Sequence, residues 1–147
     1  MNSNVETGIL LLSHGSRLDD CEEVINKIAD MYRETTDNKV EVGFMEIRMP
    51  NIPTAINNLV EGTNIKRIIV VPVFVAHGIH TKKDIPKILG LDTNIEEEEV
   101  VADDKHHHHH HHEVEKVDFD GEIIFTDPLG ADPLLVEIIK KRVNDVI

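Results

Sequence analysis

The ten histidines of this chain fall into two groups, and both point to transition-metal chemistry. Three stand apart from the rest: His14 in Ser13-His14-Gly15-Ser16-Arg17, and His77 and His80 in Ala76-His77-Gly78-Ile79-His80. The others are consecutive, His106, His107, His108, His109, His110, His111 and His112, behind an acidic stretch from Glu96 to Asp104. Imidazole is a borderline ligand that favours nickel, cobalt, copper and zinc. An expression tag normally sits at a terminus, whereas here the chain continues to Ile147 with strand and helix patterning. The run therefore implies that a metal is handled, without saying what is done with it. That chemistry falls to His14, His77 and His80, because a neutral imidazole can hold a divalent ion and also accept a proton near neutral pH.

Single histidines after strands are common loop hydrogen-bonders, so position has to support the reading. In the His77/His80 pair, spaced i, i+3, His80 is the expected ligand and His77 its support. Glu46 reads as a solvated carboxylate or a proton relay. Arg17, Arg48, Lys82 and Lys83 are ordinary surface charges unless an acidic ligand binds beside the histidines. Serine catalysis is disfavoured: the segment around His14 has no Gly-x-Ser-x-Gly elbow and no evident acid to orient a base. Neither common phosphate-binding glycine pattern is present.

Positioning these residues requires an α/β frame. Gly8–Ser13 is a continuous apolar run, the mark of a strand covered on both faces. Leu18, Cys21, Val24/Ile25, Ile28 and Met31/Tyr32 recur at helical spacing over about 19–35. Val40, Val42 and Phe44 alternate as a strand near a sheet edge. Ala55, Ile56, Leu59 and Val60 mark a helix with Pro53 in its first turn. Arg67–Val75 reads as a third strand with Pro72 near its carboxyl end. Lys82–Leu89 reads as a helix stopped by Gly90. Ile123–Phe125 is a fourth strand. Asp132 caps a last helix opened by Pro133, with Leu135, Ile138, Ile139, Val143 and Val146 as its apolar stripe. The order βαβαβαβα predicts a flavodoxin-like, four-stranded parallel sheet flanked by helices. The length fits one domain, 1–147, carrying an acidic, histidine-rich and disordered loop at about 92–120. Open sheets of this kind bind ligands beyond the carboxyl ends of the strands, where strand order reverses. With the first and third strands adjacent, His14 and the His77/His80 pair land on neighbouring loops, and Gly15 and Gly78 would let the backbone turn close to a ligand.

Composition narrows the partners. A net charge of −13 and low aromatic content disfavour nucleic acid. The apolar runs are strand-sized, so no membrane span is expected, and MNSNVETG does not resemble a signal peptide. The single cysteine, Cys21, reads as a buried thiol in a reducing cytoplasm.

Three segments, LLLSHGSRLDD, GFMEIRMPNIPTAI and KRIIVVPVFVAHGIHTKKDIPKILGL, resemble the small class II tetrapyrrole chelatases, in particular the short archaeal sirohydrochlorin cobaltochelatases and nickelochelatases. The resemblance spans most of residues 8–91; TDPLGADP is a weaker match. It implies a lyase that inserts nickel or cobalt into sirohydrochlorin for cobalamin or the coenzyme of methanogenesis. The metal would be a co-substrate, with no permanently bound cofactor. It further implies His14 as metal ligand and proton acceptor, and His80 as second ligand. Val75, Ala76, His77, Gly78, Ile79 and His80 would line the tetrapyrrole pocket. The position before Pro50 faces substrate in relatives and is often acidic there, but is Met49 here. Arg17, Arg48, Lys82 and Lys83 are candidate contacts for the substrate carboxylates. Longer chelatases carry two similar domains around one cleft, so the half-length chain implies a homodimer. Iron insertion for siroheme, or metal storage and delivery by the histidine run, are the competing expectations.

Overall fold

The computed structural model describes residues 6–91 and 117–147, with the side chains of Ile79 and His80 outside the described set. The histidine run at 106–112 and the acidic stretch before it also lie outside it. Strands and helices alternate as β1 (Glu6–Ser13), α1 (Asp19–Arg33), β2 (Lys39–Phe44), α2 (Ile52–Val60), β3 (Ile65–Pro72), α3 (Ile79–Leu89), β4 (Glu122–Phe125) and α4 (Pro133–Val146). The strands form one parallel sheet in the order β2-β1-β3-β4. This is the architecture that the alternating pattern predicts, with β2 at an edge and β1 beside β3. No helix among the described residues is long and apolar enough to cross a membrane.

The period-2 alternation of strand side chains divides the core into two layers. On one face, Leu10 and Leu12 of β1 and Ile68 and Val70 of β3 pack against Ile52, Ala55, Ile56 and Leu59 of α2 and Ile85 and Leu89 of α3. On the other, Ile9, Leu11, Val40, Val42 and Phe44 pack against Ile25 and Ala29 of α1. Each fully buried Leu or Ile contributes about 1.5–3 kcal/mol, so β1, lined on both sides, is the anchor from which the first functional loop emerges. Local signals set the helix starts. Asn51 Oδ1 accepts from the Thr54 N–H at 3.0 Å, with Pro53 in the first turn of α2. Asp132 accepts from the Leu134 N–H at 2.9 Å ahead of α4.

Several boundaries differ from expectation for identifiable reasons. β3 ends at Pro72 instead of Val75, since proline brings no ladder donor. Val73 N–H makes one more bond, to the Leu12 carbonyl at 2.8 Å, and Val73–Ala76 leave the sheet as loop. α3 begins at Ile79, three residues before the expected start. Gly78 is its N-cap, and the Thr81 hydroxyl accepts from the Gly78 N–H at 2.9 Å. His80 therefore belongs to the first turn of a helix and not to a loop. The expected stripe on α1 is mostly exposed: Leu18, Val24, Met31 and Tyr32 face outward, while Ala29, absent from the stripe, is fully buried. α4 buries none of its residues. Within the expected charged loop, Val117 and Phe119 pack against the α2/α3 layer instead, and Val117 N–H bonds to the Ile88 carbonyl at 3.1 Å.

Candidate active site

Four segments lie side by side beyond the carboxyl ends of the strands, joined by backbone hydrogen bonds. The Ser13–His14 segment at the end of β1 accepts from the N–H groups of Met45 and Glu46 at 2.9 and 3.2 Å. The Phe74–Val75 segment after β3 accepts from Leu129 and Gly130, both at 2.9 Å. His14 thus stands at the end of one central strand and His77 just past the end of its neighbour, the switch point expected from strand order.

Aromatic rings connect them. The His14 and Phe74 ring centroids are 4.7 Å apart, and Phe74 meets His77 edge-on at 5.7 Å. Phe125 of β4 closes the row against His77, also at 5.7 Å. Phe74 and Phe125 are absent from the sequence-derived site, because an aromatic inside a strand-like run reads as core. His14 is exposed, whereas His77 is half-buried with Nδ1 2.9 Å from the Thr81 hydroxyl. Thr81 is itself buried, so His77 is held by a partner fixed in the core. Thr81, at N3 of α3, was legible only as a capping residue for Gly78.

Beside His14 opens a cavity of about 320 Å³ lined by His14, Met45, Glu46, Thr81, Asp84 and Ile88. Glu46 is brought to the site as its position after β2 suggests. Met49, Val75 and Ala76 are exposed at the same edge. The backbone of Ile79 and His80 forms the first turn of α3, next to His77. Arg17, Lys82 and Lys83 are exposed around this rim. Among the described residues no three His, Cys, Asp or Glu side chains gather into a closed metal cage.

Arg48 has a different place from the one expected. Its guanidinium donates to Glu22 at 2.6 Å, Asp19 at 2.8 Å, and the carbonyls of Ser16 at 2.7 Å and Arg17 at 3.1 Å. The hydrogen bond to Asp19, and then the charges of Asp19 and Glu22, hold its pKa above the ordinary value. Such a fork-shaped side chain with its donors occupied ties the loop after β2 to the loop carrying His14, and has little left for a substrate carboxylate. Nothing local signals this: its partners lie 26 to 32 residues away.

The two glycines of the motifs also separate. Gly15 has φ +98°, and a Cβ there would overlap the carbonyl oxygen of Glu46. The close approach that requires glycine is to the neighbouring loop, not to a ligand. Gly78 has φ −91° and open space where a Cβ would lie, so its backbone makes no such demand.

His77 carries a pH signature. Burial, reinforced by the charge of Lys82 and opposed by Asp127, lowers its pKa below 6.5. The unfolded chain protonates this ring near the ordinary value while the folded chain resists until lower pH, so unfolding takes up a proton between them. This contribution to stability is present above pH 6.5 and is lost as pH falls through the folded value. His77→Gln will flatten that dependence. Urea midpoints at neutral pH and at about pH 5 will fall further for the parent than for the variant; equal falls would refute this role.

A histidine-bearing crevice thus lies at the switch point of a parallel α/β sheet, where folds of this kind bind small ligands. The chain belongs to the CbiX family, whose profile matches residues 8–146. It is 53% identical to a sirohydrochlorin cobaltochelatase of Methanothermobacter thermautotrophicus, covering 99% of this chain and 96% of that one. Its fold is similar to that of a putative cobalamin biosynthesis CbiX protein from Marinobacter aquaeolei, with TM-score 0.63, 26% identity and 95% of each chain covered. It is also similar to the sirohydrochlorin chelatase SirB of Bacillus subtilis subspecies spizizenii, solved with cobalt. There the TM-score is 0.68 at 22% identity, over 97% of this chain but 51% of that one.

Proposed function

We propose that this protein is a sirohydrochlorin chelatase that inserts a divalent cobalt or nickel ion into the macrocycle. The observation that carries the reading is the placement of His14 and the His77–His80 segment beyond the ends of adjacent central strands, beside an open cavity. Insertion replaces two pyrrole protons by one divalent ion. His14 would hold the incoming metal and, as the ion passes to the macrocycle, accept the two pyrrole protons one after the other, with Glu46 or Asp84 on the cavity wall passing each to solvent. His80, in the first turn of α3, would be the second ligand. Two imidazoles with open positions suit a metal that must be released, whereas a closed four-ligand cage would retain it. His77, fixed by Thr81, would position the segment whose Val75, Ala76, Gly78 and Ile79 face the macrocycle, opposite Met49. Arg17, Lys82 and Lys83 would meet its carboxylates, and Arg48 would act through the loops it ties together. The product would serve cobalamin or the nickel coenzyme of methanogenesis, in the cytoplasm.

A second copy of the chain would complete the cleft. A cavity of about 320 Å³ is at the small end for ligand sites, and a tetrapyrrole with eight carboxylates overfills it. The chain matches 51% of the longer chelatase chain, so a two-fold homodimer would supply the missing half and a second set of histidines.

The test is insertion measured metal by metal, with cobalt, nickel and ferrous iron alone and in competition, followed by the visible spectrum of sirohydrochlorin. Preference for cobalt or nickel supports the reading. Preference for iron moves it to siroheme.

The histidine run, outside the described residues, would collect metal near the crevice and raise its local concentration, as a tethered site does. The acidic residues beside it would add attraction that salt weakens. Deleting His106 to His112 will remove most bound nickel per chain. It will leave turnover at saturating metal nearly unchanged and slow the reaction only when metal is scarce. Initial rates against free metal for both proteins decide this; loss of rate at every concentration would place the run in the catalytic site instead.

A further inference from the structure

The chain between β2 and α2 holds a residue in a conformation that its type avoids. Ile47 has φ +71°, the one positive value among the described residues that is not a glycine's. The Arg48 N–H donates to the Glu46 carbonyl at 2.7 Å, so these three residues form a γ-turn of the positive-φ kind, which is rare and strained. A side chain branched at Cβ suits that region worst. Ile47 is also 58% exposed, with Met49 two residues on at 61%. Glycine or asparagine would occupy such a turn at less cost and would leave no apolar surface in water. Strain of this kind persists only where the surroundings over-determine it. Here they act on both sides of the turn. Before it, the Glu46 N–H donates to the His14 carbonyl at 3.2 Å. After it, Arg48 is anchored by Asp19, Glu22 and the carbonyls of Ser16 and Arg17. Further on, the Pro50 carbonyl accepts from the Phe44 N–H at 2.9 Å.

We propose that Ile47 is a substrate-contacting residue, its side chain held out by the strained turn against the apolar face of the macrocycle. This rests on the tetrapyrrole reading above and adds a residue to its binding surface. Two costs fall on Ile47 at once, backbone strain and apolar exposure. A flat apolar ligand lying over the side chain removes the second. The place fits such a ligand. Glu46 lines the cavity beside His14, and its carbonyl lies against Gly15, so the turn rests directly on the backbone of the loop that carries His14. Met49 on the same segment and Val75, 59% exposed, extend the apolar surface. Arg17, whose carbonyl Arg48 holds, is exposed beside it. A ring with an apolar face and carboxylates around its rim calls for this pairing, an apolar surface under the face and cations at the edge. Arg48 does not serve as one of those cations, because its donors are engaged; its part is to keep the turn closed and Ile47 raised.

The test compares Ile47→Gly, Ile47→Ala and Ile47→Met in the full chain. Glycine and alanine both remove the contact, but only glycine accepts positive φ without strain. Ile47→Gly will therefore melt a few degrees above Ile47→Ala. Sirohydrochlorin binding, titrated without metal by its visible absorbance, will weaken about tenfold in both. Ile47→Met, which keeps an apolar side chain, will bind nearly as the parent does. In insertion assays the Gly and Ala losses will fall on KM for the macrocycle more than on the maximal rate. Equal melting of the Gly and Ala proteins would overturn the strained display. Binding as tight as the parent's in both would overturn the contact. A loss confined to the maximal rate would also overturn it, since Ile47 would then only support Glu46 and His14. A parent protein that binds no sirohydrochlorin would overturn the tetrapyrrole reading itself, and the contact with it.

Discussion

Replacing His14 by alanine will lower metal insertion by about two to four orders of magnitude, the range lost when a positioned acid or base is removed. The fold will survive. His14 is exposed, and its ring rests against Phe74. His80→Ala will give a loss of the same order if both imidazoles hold the ion in transit. His77→Ala will cost less, because its ring is engaged with Thr81 and shapes the segment. The measurement is the initial rate of spectral change of sirohydrochlorin with cobalt, alongside a circular dichroism melt. A His14→Ala protein with an unchanged rate would remove this residue from the mechanism.

Gly15→Ala will damage both stability and activity. The new methyl would meet the Glu46 carbonyl oxygen, and φ +98° is a conformation that residues with a Cβ rarely adopt. Local strain of this kind costs about 1–3 kcal/mol. The relief available is movement of the loop that carries His14, or of Glu46 on the cavity wall. A shift near 1 Å at a reacting centre costs about a hundredfold in rate. The rate should therefore fall further than the melting temperature suggests. Gly78→Ala serves as the control, since its φ is ordinary and its surroundings are open. Equal effects at the two positions would show that the backbone argument for Gly15 is wrong.

The sequence pattern revealed the frame well because the apolar period changes cleanly between elements. The runs Gly8–Ser13 and Arg67–Val75 read as buried strands, the second overshooting the observed end at Pro72, and strands alternating with helices required them to be parallel. Adjacent central strands then placed His14 near His77 without any local signal linking them. What stayed hidden depended on long-range contact. The four bonds of Arg48 reach back across α1 and its leading loop, and a lone arginine before Met49 gives no hint of them. Phe74 was indistinguishable from a strand residue until the chain was seen to leave the sheet after Pro72. The stripe of α4 is amphipathic in sequence but exposed in the fold, since amphipathicity says only that a face needs cover, not what covers it.

The central claim is that this chain catalyses metal insertion, as opposed to merely holding metal. The most direct measurement mixes sirohydrochlorin with excess divalent cobalt without oxygen, adds a small fraction of an equivalent of protein, and follows the visible spectrum. The account predicts conversion of many macrocycles per chain, faster than in the protein-free mixture. Conversion no faster than without protein, while the protein still binds cobalt, would contradict it and leave a metal-storage protein.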